Sequence, residues 1–212
     1  MNHALLIGFV VAVALVSLAP GPDMLFIVAN AISGGRRAGV VAALGMSTGL
    51  ACHTVAAALG LGALMQAAPA LLEGVRIAGA AFLLYLAVTT WRSSRTHQVV
   101  TTPTVERPRS VSRVYAMAVL TNLANPKVIL FYLAFFPQFL TTGTGSWPAT
   151  TQFLVLGATF IVVGLAVDAS AGVAAGALSE QVLRRTGVRR WLDRASAAIF
   201  GGLAVRLALD AR

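Results

Sequence analysis

Apolar residues gather in six stretches along this chain, parted by polar or basic connections. The first covers about 4–32 and is interrupted at Pro20-Gly21-Pro22-Asp23; a short loop, Ser33 to Arg37, follows. The second lies within 38–67, where no charged residue occurs, and Pro69 and Glu73 mark the next turn. The third covers about 74–91 and ends at Trp91-Arg92, an aromatic beside a cation as at a membrane interface. Ser93 to Ser112 is polar, contains Pro103 and Pro108, and reads as a surface loop. The fourth stretch covers about 114–140, interrupted at Asn125-Pro126-Lys127, and Thr141 to Pro148 is an uncharged turn. The fifth covers about 150–178 and contains Asp168; Glu180 to Arg194 is basic and reads as interfacial. The sixth, about 195–209, is short and carries Arg206 near its end. A helix crosses the hydrocarbon in about 20 residues, so each stretch reads as one crossing.

Composition agrees. Of 212 residues, 58% are hydrophobic and 11% charged, against about 25% charged in an average soluble protein. Mean hydropathy is +0.81. A soluble enzyme, a disordered chain and a secreted disulfide scaffold are all excluded, because the chain has too few polar groups to cover a wetted surface. The start reads as a retained first helix rather than a cleaved leader. Met1-Asn2-His3 has no Lys or Arg, Pro20-Gly21-Pro22 is a poor processing site, and hydrophobicity resumes at Met24.

The formal net charge is +9, and Lys127 is the only Lys among sixteen basic residues. Most Arg residues fall into three groups: Arg36 and Arg37; Arg92, Arg95, Arg107, Arg109 and Arg113; Arg184, Arg185, Arg189, Arg190 and Arg194. They sit between stretches one and two, three and four, and five and six. That alternation marks loops kept in the cytoplasm and puts both termini on the side away from it; it argues against a nucleic-acid partner. Cys52 is the single cysteine, so no internal disulfide or two-thiol relay exists.

The interruptions carry the chemistry. Proline in a helix removes a donor and displaces the carbonyl four residues back: Pro20 disturbs Val16, Pro22 disturbs Leu18, and Pro126 disturbs Asn122. Such freed groups are tolerated at membrane depth only where protein or a wet cavity satisfies them. Each break leads directly into an ionisable residue, Pro22-Asp23 and Pro126-Lys127, and Leu-Ala precedes both. Stretches one and four are then equivalent members of two three-span halves. An odd number of crossings inverts the second half, and matched interrupted spans point to a transporter's site near the midplane. The alternative is that each proline only kinks a packed helix. An unpaired intramembrane charge costs at least about 2.5–3.5 kcal/mol, so Asp23, Lys127 and Asp168 should face one another or a cavity. A purely structural ion pair would serve the same end. Asp23 suits the start of a half-helix, whereas Lys127 there is better explained by an anion held beside it.

Gly45-Met46-Ser47-Thr48-Gly49 and Gly172-Val173-Ala174-Ala175-Gly176 are GxxxG matches at equivalent places in the two halves. They predict close helix packing within the chain, with a homodimer interface as the alternative. Ser47 and Thr48 would bond a ligand or their own helix. His53 lacks the neighbouring ligands a metal site needs, since His3 and His97 lie near the chain end and in a loop. No nucleophile–base pair, phosphate loop or paired catalytic carboxylates are visible, so the chain does not read as an enzyme.

Ala19-Pro20-Gly21-Pro22-Asp23, the Gly45–Gly49 segment, Asn122-Leu123-Ala124-Asn125-Pro126-Lys127 and Phe136-Pro137-Gln138-Phe139 together resemble the LysE family of amino-acid exporters, which includes lysine, threonine and homoserine efflux proteins. The resemblance covers the chain in length, span order and loop placement. It implies a multi-pass exporter of amino acids or close derivatives in a bacterial inner membrane, driven by the proton or ion gradient. Asp23, Asn125, Pro126 and Lys127 carry over as functional positions; Asp168 matches less closely.

The expected architecture is all-α and polytopic: a single domain over 1–212, six transmembrane helices as two inverted three-helix repeats, with helices one and four interrupted. Repeat one covers about 1–92, the cytoplasmic loop about 93–112 and repeat two about 113–212. The expected substrate-binding residues are Pro20, Gly21, Pro22, Asp23, Asn122, Asn125, Pro126 and Lys127, with Ser47 and Thr48; Asp23 and Asp168 would carry the coupling proton, because a carboxylate out of water holds one more readily. The partners are an amino-acid substrate and membrane lipid, with no cofactor or metal. The rival readings are a metal or inorganic-ion exporter on a related scaffold and a non-transporting membrane scaffold.

Overall fold

The computed structural model describes residues 3–67, 110–141 and 143–177, with scattered positions between 73 and 92 and between 194 and 205. Among these residues the chain is entirely helical apart from turns. The elements are α1 (His3–Leu18), α2 (Pro22–Ala67), α3 (Val111–Leu123), α4 (Pro126–Leu130) and α5 (Ala149–Ala177). The expected third and sixth spans, and the basic segments 93–109 and 180–193, lie largely outside the described residues.

The first apolar stretch breaks where the prolines require it. α1 ends at Leu18, and α2 begins with Pro22 in its first position, where a missing N–H costs nothing. α2 has 46 residues, about 69 Å at helical rise, more than twice the hydrocarbon thickness. A straight helix of that length would run far beyond the hydrocarbon on at least one side. Gly35 has φ 74° and ψ −177°, a conformation open essentially to glycine alone, and there the chain folds back. The proof is a contact: a Cβ on Gly39 would lie 2.9 Å from the Ala31 Cβ, although eight residues of straight helix span about 12 Å. The expected loop over Ser33–Arg37 thus narrows to one residue, with helix on both sides.

The fourth stretch bends by 46° between Val111–Leu123 and Pro126–Phe139. α3 starts on Ser110, whose side chain accepts from the Arg113 N–H. Asn125 caps α4 by accepting from the Lys127 N–H at 3.0 Å, and Pro126 takes the first helical position. Beyond α4 the helix widens into a π turn over Phe131–Phe135 and tightens into a 3-10 turn over Phe136–Phe139. α5, at 29 residues, matches the expected fifth span. By length and composition 22–60 and Ala149–Ala177 are apolar enough to cross a membrane, and the bent pair makes a third candidate among the described residues.

Two apolar clusters hold these elements. One is aromatic. Phe9 of α1 meets Phe136 and Phe139 edge-on, each at 5.1 Å between centroids; Phe131 and Tyr132 pack on Phe160 of α5. The irregular turns after α4 aim this row of rings inward, and the packing fixes the half-helix that carries Lys127. The second cluster joins Ile27, Ala42, Ala43 and Met46 of α2 to Val114 and Ala118 of α3. Small residues set the spacing. A Cβ at Gly45 would lie 2.6 Å from the Ala118 Cβ, and one at Gly49 2.6 Å from Asn122 Oδ1. One at Gly172 would lie 2.9 Å from the Gly39 backbone, and one at Gly176 2.6 Å from the Arg36 nitrogen. Both GxxxG faces are therefore filled from within the chain. Near the expected cytoplasmic ends of spans three and six, Arg194 lies over the Trp91 ring at 6.0 Å.

Gly172→Val should force α5 off the Gly39 backbone and destabilise the protein by roughly 1–3 kcal/mol. Thermal unfolding of purified protein in detergent reads this as a lower midpoint. Gly60→Ala, where a Cβ meets nothing within 4 Å, should leave the midpoint unchanged or raised.

Candidate functional site

Where α1 ends, Val16 O has lost its ordinary donor four residues on to Pro20, and Ala19 O lies past the last turn. Ala19 N–H divides itself between Leu15 O and Val16 O at 3.1 and 3.2 Å. The Lys127 ammonium, brought from α4, donates to Val16 O at 3.3 Å and to Ala19 O at 3.2 Å. A cation thus caps the negative end of α1. Lys127 is buried, and its aliphatic chain reaches this end because position 21 lacks a side chain: a Cβ there would lie 3.2 Å from Nζ.

The second break is treated reciprocally. Asn122, the last residue but one of α3, donates from Nδ2 to Asp23 Oδ2 at 3.1 Å. Asp23 stands in the first turn of α2, where a carboxylate is favoured. Each charged residue that follows a break is therefore held by the segment that precedes the other break. The expectation that Lys127 faces the two acids is met by a shared cavity, not by a direct ion pair. Among the described residues its hydrogen bonds go to backbone carbonyls.

Asp23, Asn122, Lys127 and Asp168 line one cavity, with Val16, Ser17, Met24, Leu50, Val128, Phe160 and Gly164 completing the wall. Asp168, buried on α5, accepts no hydrogen bond from a described residue. Asp23 Oδ1 and Asn122 Oδ1 are buried without partners among the described residues, as is Asn125 Nδ2 beside the break. Each such atom costs about 1–3 kcal/mol, and their gathering marks a place built for something other than stability. The charges that face the cavity are one ammonium and two carboxylates, the complement of a small molecule carrying both an amine and an acid. The cavity has room for roughly one water molecule, so a larger guest requires its walls to part.

Other expected residues fall elsewhere. Pro20, Gly21 and Pro22 form the first break and Pro126 the second, shaping the cavity without lining it. Ser47 and Thr48 bond their own helix, at Ala43 O and Leu44 O, each at 3.1 Å. Thr48 also meets the Tyr115 hydroxyl at 2.7 Å. Neither hydroxyl reaches the cavity. Among the described residues no three His, Cys, Asp or Glu side chains gather as metal ligands. Sequence reasoning passed over Ser17, Leu50 and Phe160, which nothing in their type distinguishes from core. It also passed over Tyr132, whose hydroxyl donates to Leu50 O at 3.1 Å from within the π turn.

Comparison with known proteins shows the family. The family model described as LysE type translocator matches residues 14–211. A homoserine/homoserine lactone efflux protein of Salmonella typhimurium is 34% identical over 160 residues, 76% of this chain and 75% of that one. A leucine efflux protein of Enterobacter is 34% identical over 163 residues, covering 73% and 72%. An uncharacterized membrane protein of Vibrio cholerae is 35% identical over 157 residues, 74% of each chain. No solved structure matches the chain. Both breaks and all three cavity charges fall inside the matched region, and the chain belongs to the family of LysE type translocators, membrane transporters rather than enzymes.

Proposed function

We propose that the protein is a secondary exporter that moves amino acids or close derivatives out of the cytoplasm across the bacterial inner membrane, coupled to the proton gradient. The observation that carries this reading is the cavity between the two breaks, where Asp23, Asp168 and Lys127 surround one small volume. The efflux proteins for homoserine, homoserine lactone and leucine that it resembles support a cargo of that size and chemistry.

In this reading the substrate carboxylate meets Lys127, displacing it in part from Val16 O and Ala19 O. The substrate ammonium meets Asp23, whose Oδ1 stands unpartnered among the described residues. Asn122 in the cavity wall and Asn125 beside the second break offer the substrate their Oδ1 and Nδ2 atoms, unpartnered among the described residues. Asp168 takes a proton once the substrate has left and releases it on the other side, so that the empty cavity returns with Asp23 and Lys127 balancing one another and Asp168 neutral.

The architecture proposed with it is six spans in two inverted triplets. The matched breaks of the first and fourth stretches support it, as does the Gly35 fold-back that divides α2 into two arms. The exposed Arg36 and Arg37 beside that turn support a cytoplasmic position for it, with both termini on the periplasmic side. Glycine faces filled within the chain favour a protomer whose spans close on one another, leaving any homodimer to other surfaces.

Asp23→Asn and Lys127→Ala should each cut export of labelled homoserine or leucine from preloaded cells by roughly tenfold or more, with membrane levels unchanged. Wild-type export by both variants for every amino acid that the unaltered protein moves would refute the proposed roles. Asp168→Asn should still exchange labelled for unlabelled substrate across proteoliposomes. It should lose the acceleration that a proton gradient directed into the cytoplasmic side gives the unaltered protein.

A further inference from the structure

The stripe Gly45, Gly49 is spaced four residues apart on one face of α2, and the next residue on that face is His53. The first two positions have no side chain because α3 lies against them: Gly45 meets Ala118 and the Tyr115 carbonyl, Gly49 meets the Asn122 side chain. The third position faces the end of α3, where there is a defect to fill instead of a helix to admit. Asn122 O is the carbonyl that Pro126 deprives of its helical donor. Asn125 N–H takes one side of it at 3.0 Å. His53 Nε2 stands 3.4 Å from the same oxygen.

The His53 ring is fixed for this. It stacks on Tyr132, 5.6 Å between centroids and 29° between planes. Tyr132 is pinned in turn, donating to Leu50 O at 3.1 Å with the Thr54 hydroxyl 2.8 Å from its own. A Cβ at Gly157 would collide with Thr54, so α5 closes the back of the group. The first break has its freed carbonyl capped by Lys127 from another span. The second has an imidazole in the same office.

We propose that His53 is a positioning residue for substrate binding: by donating Nε2–H to Asn122 O it fixes the end of α3 and so aims the Asn122 amide at Asp23. The ring needs the tautomer with hydrogen on Nε2, and its action reaches the substrate only through Asn122 and Asp23. The inference rests on the proposed role of Asp23 as the ammonium partner.

Gln places an amide nitrogen where His53 carries Nε2, whereas Ala leaves the carbonyl without that donor. His53→Ala should raise the half-saturating concentration for labelled homoserine or leucine in proteoliposomes about tenfold and leave the maximal rate within about twofold, since the proton-carrying group is untouched. His53→Gln should restore most of the loss. In detergent without substrate, the thermal midpoint should fall for His53→Ala and recover for His53→Gln. Half-saturation within twofold of the unaltered protein for His53→Ala, while Asp23→Asn is inactive, overturns the inference; so does an equal defect in the Ala and Gln variants. If Asp23→Asn transports normally, the proposed function fails on its own account. The midpoints then decide for His53: recovery by Gln supports the capping role, and no difference among the three proteins removes it.

Discussion

A backbone carbonyl stripped of its helical donor inside hydrocarbon must find another donor within the protein, at a penalty of several kcal/mol if it does not. The structure depends on how that demand is met. The prolines at 20, 22 and 126 create the need twice, and the chain answers it by exchange. The ammonium from the second break serves carbonyls at the first, and the amide from the second holds the acid that follows the first. Neither break is completed by its own segment alone. The same contacts that repair the helices bring an acid and an amine to one cavity, so the proposed binding chemistry draws on the atoms that complete the fold.

That exchange works only at short range, and the short range comes from glycine. Lys127 reaches the end of α1 past Gly21, Asn122 lies in the hollow at Gly49, and α5 touches the Gly39 backbone through Gly172. With lipid on the outside there is little apolar driving force between helices, so dispersion between closely approached backbones does the holding. The aromatic row from Phe131 to Phe139 contributes on the other flank, anchoring the short α4 to α1 and α5. A five-residue helix would not keep its lysine in place without that anchor.

Much of this was legible before any coordinates. Proline chemistry located both breaks, and the run of apolar residues located α5 to within a residue or so at each end. The gathering of Asp23, Lys127 and Asp168 followed from the cost of charge in lipid. Other features were not legible, for definite reasons. Helix continues to either side of Gly35 because Arg36 and Arg37 are good helix formers, and sequence polarity alone reads them as loop. The hydroxyls of Ser47 and Thr48 have a carbonyl of their own helix within reach at every such position, so spacing could not choose between that and a ligand. The π turn over Phe131–Phe135 has no compositional mark. His53 looked like an isolated imidazole on an apolar face, since the atom it serves belongs to a residue 69 positions away.

The narrowness of the central chamber has a consequence of its own. A space that admits about one water molecule also excludes a hydrated ion, and its plug is made of groups that must each be released before anything passes. On the proposed function, a protein that rests in this shape would keep this cavity shut against the gradient it draws upon. On the same proposal, only a guest able to compensate the departing backbone contacts of the lysine would be worth opening for, and the barrier against waste and the filter for cargo would be one and the same wall.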